Sequence, residues 1–455
     1  MQKHATVDSQ TAPPASILAA YFRNLERLDT LRSIGTVRRA AGLVIESQGP
    51  AVSVGEMCYL EGRAGDPNMA LEAIGFRDST VLLMPLGPMP AVRAGDCVVA
   101  TGKSARVPVG PNLLGRIINA LGEPLDGLGP IDHEAEYPLN RPSTNPLTRA
   151  DINEPMGTGV RAIDGMLTVG VGQRIGIFGG SGVGKSTLLG MMAKRTTADV
   201  NVIAMIGERG REVREFVDRE LGPEGLARSV LVVSTSDDSS LLRIRAALTA
   251  TAIAEYFKDR GRKALLIMDS VTRFAMAQRE IGLAAGEPPS SRGYTPSVFG
   301  LLPRLLERAG NFATGGSITG FYTVLVEGDD MNEPVADAVR SILDGHIVLS
   351  RALAARNHYP CIDVLHSASR LFGQVASREQ IAAAGRVRDL LATYSATEDL
   401  INIGAYQKGS NPHIDEAIAN YDRIIGFLRQ DRHEAVSFPA VVERLAREFK
   451  GEGNP

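Results

Sequence analysis

The stretch RIGIFGGSGVGKSTLLGMMAKR, Arg174 to Arg195, decides how the rest of the chain is read. RIGIF reads as a strand and TLLGMMAKR as a helix, and between them Gly179, Gly184, Lys185 and Ser186 match the pattern G-x-x-x-x-G-K-[ST]. A glycine-rich loop in that position turns backbone N–H groups inward, and the helix N-terminus adds its partial positive charge, which together make a cradle for phosphate. Gly179, Gly180, Ser181, Gly182, Val183, Gly184, Lys185, Ser186 and Thr187 are therefore the expected nucleotide-binding residues. Lys185 is expected to reach the β and γ oxygens, and Ser186 to offer its hydroxyl to magnesium. Kinases, switches, pumps and motors all share such a loop, so its neighbours must decide the chemistry.

Two strand ends supply candidates. KALLIMD ends in Asp269, the expected second magnesium-directed group, although a strand-end aspartate can also serve only as a helix cap. NVIAMIGE ends in Glu208, at the C-terminal edge where α/β sheets bind ligands, and Glu208 is the candidate to orient or deprotonate an attacking water. Arg209, Arg211 and Arg273 have two readings, as phosphate or glutamate partners and as ordinary salt-bridge residues.

The whole chain sets the frame for these candidates. At about 150 residues per domain, 455 residues imply several domains. The 44% hydrophobic and 22% charged content is that of a soluble globular protein. With 49 Lys and Arg against 52 Asp and Glu, the net charge of -3 argues against nucleic acid as the main partner. Cys58, Cys97 and Cys361 are scattered and odd in number, which excludes a disulfide framework or zinc knuckle and reads as small core residues in a reducing compartment. No stretch nears the roughly 18 apolar residues that cross a bilayer, and MQKHATVDSQTAPP has no apolar signal core, so the expectation is a cytoplasmic protein.

Four segments follow from the patterning. In residues 1–34, Ile17, Leu18, Tyr21, Phe22, Leu25, Leu28 and Leu31 fall on one side of a helical wheel; that face either packs on its own protein or docks a partner helix. Residues 35–101 hold short apolar runs such as GLVIES and STVLLMP between Gly and Pro turns, the pattern of a small β-barrel or sandwich. Residues 102–371 alternate strand and helix, which predicts a doubly wound, mostly parallel sheet built on RIGIFGG, NVIAMIGE, SVLVVST, KALLIMD, ITGFYTVLVE and GHIVLSR. Residues 372–455 turn to Ala-rich, charged helical segments such as EQIAAAGRVRDLLATYSATEDL, a C-terminal helical domain.

MGTGVRAIDGMLTVGVGQRIGIFGGSGVGKSTLL, IGERGREVREF, MDSVTRFAMAQREIGLAAGEPPSSRGYTPSVFGLLPRLLERAG and VLVEGDDMNEPVAD resemble the catalytic subunits of rotary ATPases. Within that group the sequence is most similar to the flagellar type III protein-export ATPases, over nearly the whole chain, including VPVGPNLLGRIINALGEPLDG and NHYPCIDVL. The resemblance implies a β-barrel, a RecA-like nucleotide domain and a helical C-terminal domain, assembled as a homohexamer with each site between neighbours. It implies magnesium-dependent conversion of ATP and water to ADP and phosphate. Glu208 would be the catalytic glutamate, Arg209 would contact the phosphates, and Tyr359 would stack on adenine, against a structural alternative of a buried Tyr beside a Pro turn. Arg370 in HSASR would be an arginine finger inserted into the adjacent subunit, worth on the order of 10³ to 10⁵ in rate.

The partners implied are a stator-like regulatory dimer at Ile17, Tyr21, Leu25 and Leu28, a central stalk protein, an export-gate membrane protein, and export substrates with their chaperones. The implied location is cytoplasmic, peripheral at the inner face of the cytoplasmic membrane. An injectisome ATPase shares all this chemistry and is the alternative, with FAMAQREIGLA and GDDMNEP favouring the flagellar reading. An ATP synthase subunit and a ring RNA translocase rank below it. The intact Glu208 counts against a non-enzymatic nucleotide-regulated scaffold.

Overall fold

The computed structural model describes residues 32–62, 66–89, 91–142, 145–326, 328 and 330–450. The N-terminal apolar face with Ile17, Tyr21, Leu25 and Leu28 lies outside the described residues.

The short runs between glycine turns form six strands, Ile34–Ala41, Val44–Gln48, Glu56–Leu60, Met69–Arg77, Thr80–Pro85 and Cys97–Ser104, which close into a barrel in the order first, second, fifth, fourth, third, sixth. Alternation along each strand sends one side chain in two inward, and Val37, Ile45, Leu71, Leu83 and Val98 fill the interior. Closure leaves no unpaired edge. The barrel is one compact unit; Met84–Met89 and the residues from Ser104 onward make a second.

In the second unit the main sheet runs Ile362–Ser369, Gly345–Leu349, Arg174–Gly179, Ser317–Leu325, Lys263–Asp269, Val200–Glu208, Ser229–Thr235, Ile117–Asn119. Neighbours on this path pair in parallel except Ile362–Ser369, which runs antiparallel to Gly345–Leu349. Every residue of Val200–Glu208 is buried, as a parallel sheet with both faces covered requires, and that burial is why these strands read as unbroken apolar runs. The expected mostly parallel sheet is present, with three strands more than the runs predicted, one of them the two-residue Gly310–Asn311 paired antiparallel to Ser317–Leu325 off this path. Ile117–Asn119 is only three residues long, too short for a period, and Ile362–Ser369 follows the NHYP turn with buried and exposed residues mixed along it.

Three helices, Arg378–Asn402, Pro412–Leu428 and Phe438–Glu448, form the C-terminal region. Their apolar faces share one core with the nucleotide-binding region, in which Phe427, Leu428, Val441 and Leu445 lie with Ile163 and Met166 of the short helix Arg161–Met166. A Cβ on Gly165 would stand 2.9 Å from Phe427 Cζ, so that crossing needs glycine. Buried amides pin the same junction: Gln380 Nε2 donates to Thr168 Oγ1 at 2.7 Å, and Gln430 Nε2 donates to Gly159 O at 2.9 Å.

Candidate active site

The loop after Arg174–Gly179 does what its glycines allow. Gly182 and Gly184 have φ of 81° and 83°, in the left-handed region that glycine enters without penalty, and Gly184 immediately precedes the helix Lys185–Arg195. Above the loop lies a cleft of about 620 Å³, onto which Gly180, Lys185, Ser186 and Thr187 open. Val183 is buried beneath it, and its carbonyl accepts from Cys361 Sγ at 2.8 Å. Cys58 is buried as well, whereas Cys97 is only half-buried.

Parallel register brings the two acids to the same edge. Met205 pairs with Asp269, and a bulge between Ile206 and Glu208, where Gly207 has φ 68°, carries the strand on so that Glu208 pairs with Thr235. Lys185 Nζ stands 2.6 Å from Asp269 Oδ1, which also accepts from Thr323 Oγ1 at 2.7 Å. Both charged groups are almost wholly buried, so the pair is held by packing as well as charge.

Glu208 is 8% exposed. Burial first, then the negative charge of Asp269, pushes its carboxyl up to about 7, against the downward pull of Lys185 and Arg273. A carboxyl poised there exchanges a proton near neutral pH, as a general base must.

The arginines separate. Arg273, in the first turn of the helix Val271–Ala285 capped by Ser270, lines the cleft, and its Nε is buried with no hydrogen-bond partner among the described residues. Arg209 lies at the rim, exposed, paired with Glu212 at 3.2 Å. Arg211 is exposed and does not line the cleft. Tyr359 lays its ring over the loop, so that a Cβ on Gly184 would meet ring atom Cε1 at 3.6 Å, and it is 44% exposed rather than buried. Arg370 immediately follows the edge strand Ile362–Ser369; it is exposed and does not line the cleft, and its backbone N–H donates to Asp344 O at 2.9 Å.

Several cleft residues escaped the sequence reading, among them Glu220, Arg432 and Arg351. Glu220 accepts from Thr187 Oγ1 at 2.9 Å, Arg432 comes from the C-terminal region, and Arg351 begins the helix Arg351–Ala355 just past the strand Gly345–Leu349. The strand-end rule that found Asp269 and Glu208 also points to Arg351, because Gly345–Leu349 lies directly beside Arg174–Gly179.

Ser186 and Asp269 offer a hydroxyl and a carboxylate, hard oxygen donors of the kind magnesium takes. No group of three or more His, Cys, Asp or Glu side chains placed to hold a metal occurs among the described residues, so the donor set fits an ion that keeps waters and binds phosphate oxygens rather than one caged by protein.

A strand, phosphate loop and helix, with acids at neighbouring strand ends, define a P-loop nucleoside triphosphatase. Comparison with known proteins gives the family. Residues 37–102 match the beta-barrel domain and residues 159–369 the nucleotide-binding domain of the ATP synthase alpha/beta family, and residues 376–447 match the T3SS EscN ATPase C-terminal domain. The chain is 56% identical over 427 residues to the flagellum-specific ATP synthase of Bacillus subtilis (strain 168), covering 92% of this chain and 95% of that protein. It is 51% identical over 423 residues to the type 3 secretion system ATPase of Xanthomonas euvesicatoria, covering 93% and 96%. The assembled ATPase EscN of enteropathogenic E. coli, in complex with its central stalk EscO, superposes with a TM-score of 0.84 at 44% identity, covering 91% of this chain and 100% of that one. The chain belongs to the ATP synthase alpha/beta family, among its flagellar and type III secretion ATPases.

Proposed function

We propose that the chain hydrolyses ATP, with magnesium, to power or assist export of flagellar proteins through a type III export apparatus. The observation that carries this reading is the convergence of Lys185, Asp269 and Glu208, from three different elements, on one phosphate loop, while Arg370 stands outside the cleft.

In the step proposed, the loop N–H groups and Lys185 hold the triphosphate. Glu208 orients a water and takes its proton as the oxygen attacks the terminal phosphorus, and the bond to the ADP oxygen breaks. When bound at Ser186 and Asp269, magnesium would supply positive charge to the phosphate oxygens. Arg273 supports Glu208, Arg209 meets phosphate at the rim, and Tyr359 stacks on the base. Arg370, which does not line its own cleft, serves the next subunit's site, which makes an isolated subunit a poor ATPase.

That arrangement requires a ring, and we propose a homohexamer around a central stalk, in keeping with the assembled relative solved with its stalk. A stator-like dimer at the N-terminal segment, an export-gate membrane protein, and substrates with chaperones complete the proposed partners. The proposed location is the cytoplasm, at the membrane's inner face, and no described helix is long and apolar enough to cross a membrane. Flagellar relatives are 46% to 56% identical and type 3 secretion relatives 48% to 51%, so the preference for flagellar export rests on FAMAQREIGLA and GDDMNEP, with an injectisome as the alternative. Deleting the chain should abolish motility and secretion of filament proteins together, with rescue by wild type and not by Glu208→Gln. Intact filament secretion in the deletion would refute the reading.

A further inference from the structure

The segment from Arg351 to Cys361 touches the phosphate loop at three successive places. Arg351 lies against Gly180, Cys361 Sγ donates to Val183 O at 2.8 Å, and the Tyr359 ring covers Gly184. The first of these contacts leaves no room for a side chain. A Cβ on Gly180 would stand 2.7 Å from Arg351 Cζ, with Nε and Nη2 nearer still, so the guanidinium fills the space that any side chain at position 180 would need. Arg351 lines the cleft, as Lys185 and Ser186 do.

We propose that Arg351 is a phosphate-binding residue of the nucleotide site, and that Gly180 is glycine to give its guanidinium a berth. Three observations converge. Parallel register pairs Gly179 with Leu349, two residues before Arg351, so the sheet itself delivers this arginine to the loop. Ser350 caps the helix Arg351–Ala355 by accepting from Leu353 N at 3.3 Å, and its own backbone N–H donates to Cys361 O at 2.9 Å, which fixes where the side chain departs. The sequence pattern of the loop allows any residue at position 180, and Gly180 does not adopt a left-handed φ, so neither phosphate cradling nor backbone strain explains the glycine there. A planar guanidinium donates two parallel hydrogen bonds to phosphate oxygens, which Lys185 as a point charge does not.

The proposal rests on the ATP reading above. Binding of fluorescent ADP and of AMP-PNP is measured on full-length wild type, Arg351→Gln, Arg351→Lys, Gly180→Ala and the Gly180→Ala/Arg351→Gln double variant, alongside nucleotide-free melting temperatures. The expected result is a roughly 10- to 100-fold rise in Kd for Arg351→Gln, a smaller rise for Arg351→Lys, and unchanged melting. Gly180→Ala, which evicts the guanidinium and leaves the loop's own N–H groups in place, should raise Kd comparably, and the double variant should be no worse than Arg351→Gln alone. Wild-type Kd in Arg351→Gln, or losses that multiply in the double variant, would overturn the role of Arg351 while leaving the ATP reading intact. A weakened Kd that tracks a lowered melting temperature in both arginine variants would also overturn it, as a structural effect. Failure of wild type to bind either nucleotide would overturn both.

Discussion

Lys185 Nζ and Asp269 Oδ1, 2.6 Å apart, join the phosphate loop to the end of a strand two places away in the sheet. The pair links the residue proposed to hold phosphate to the residue proposed to hold magnesium, so a change at either one alters the charge that the other faces.

Asp269→Asn keeps the shape and the Thr323 contact but removes the charge. The apparent magnesium requirement of hydrolysis should rise by about 10- to 100-fold, read from metal titrations at saturating nucleotide. An unchanged titration curve would mean that Asp269 takes no part in holding the metal.

Glu208 gives the pH dependence a sign. Its carboxyl is pushed up to about 7 by burial and by Asp269, and only the deprotonated form accepts a proton, so kcat/KM should fall as pH drops below about 7 and level off above it. A profile flat from pH 6 to 8, roughly one unit either side of that value, would rule out Glu208 as the titrating base.

Arg370 does not line its own cleft, and its proposed role as a finger predicts complementation between subunits. Lys185→Ala and Arg370→Ala proteins should each lose on the order of 10³ or more in turnover, and mixing them should recover part of it, because an intact loop then meets a neighbour's intact arginine. Wild-type turnover by Arg370→Ala alone would remove the finger from the account.

His358 is 3% exposed, its Nε2 has no hydrogen-bond partner among the described residues, and burial, then Arg429, push its imidazole down to about 4. The unfolded chain takes up a proton near 6.5 and the folded one only near 4, so stability is lost as pH falls through that window. The loss should be about 1–2 kcal/mol with solvent screening allowed for, and His358→Phe should flatten the melting curve's dependence on pH between those values. Parallel pH profiles for the two proteins would contradict this.

Much of the site was legible because strand ends in a parallel sheet are legible. Asp269 and Glu208 close unbroken apolar runs, and the phosphate loop carries its own pattern. Arg351 also follows a strand end, but a lone arginine after LS has no signature, and its meaning comes from register beside Arg174–Gly179, which is a long-range fact. Glu220 and Arg432 reach the cleft from a π-helical turn and from the C-terminal region, 33 and 245 residues after Thr187, and no local period encodes such approaches. The antiparallel edge strand that precedes Arg370 was hidden because buried and exposed residues mix along it without a clean alternation.

The most direct test is phosphate release by the assembled wild type and by Glu208→Gln, measured with and without magnesium, with nucleotide binding followed in parallel. The account predicts magnesium-dependent turnover in wild type and a loss on the order of 10²-fold or more in Glu208→Gln, with nucleotide still bound. Turnover in Glu208→Gln equal to wild type would contradict it.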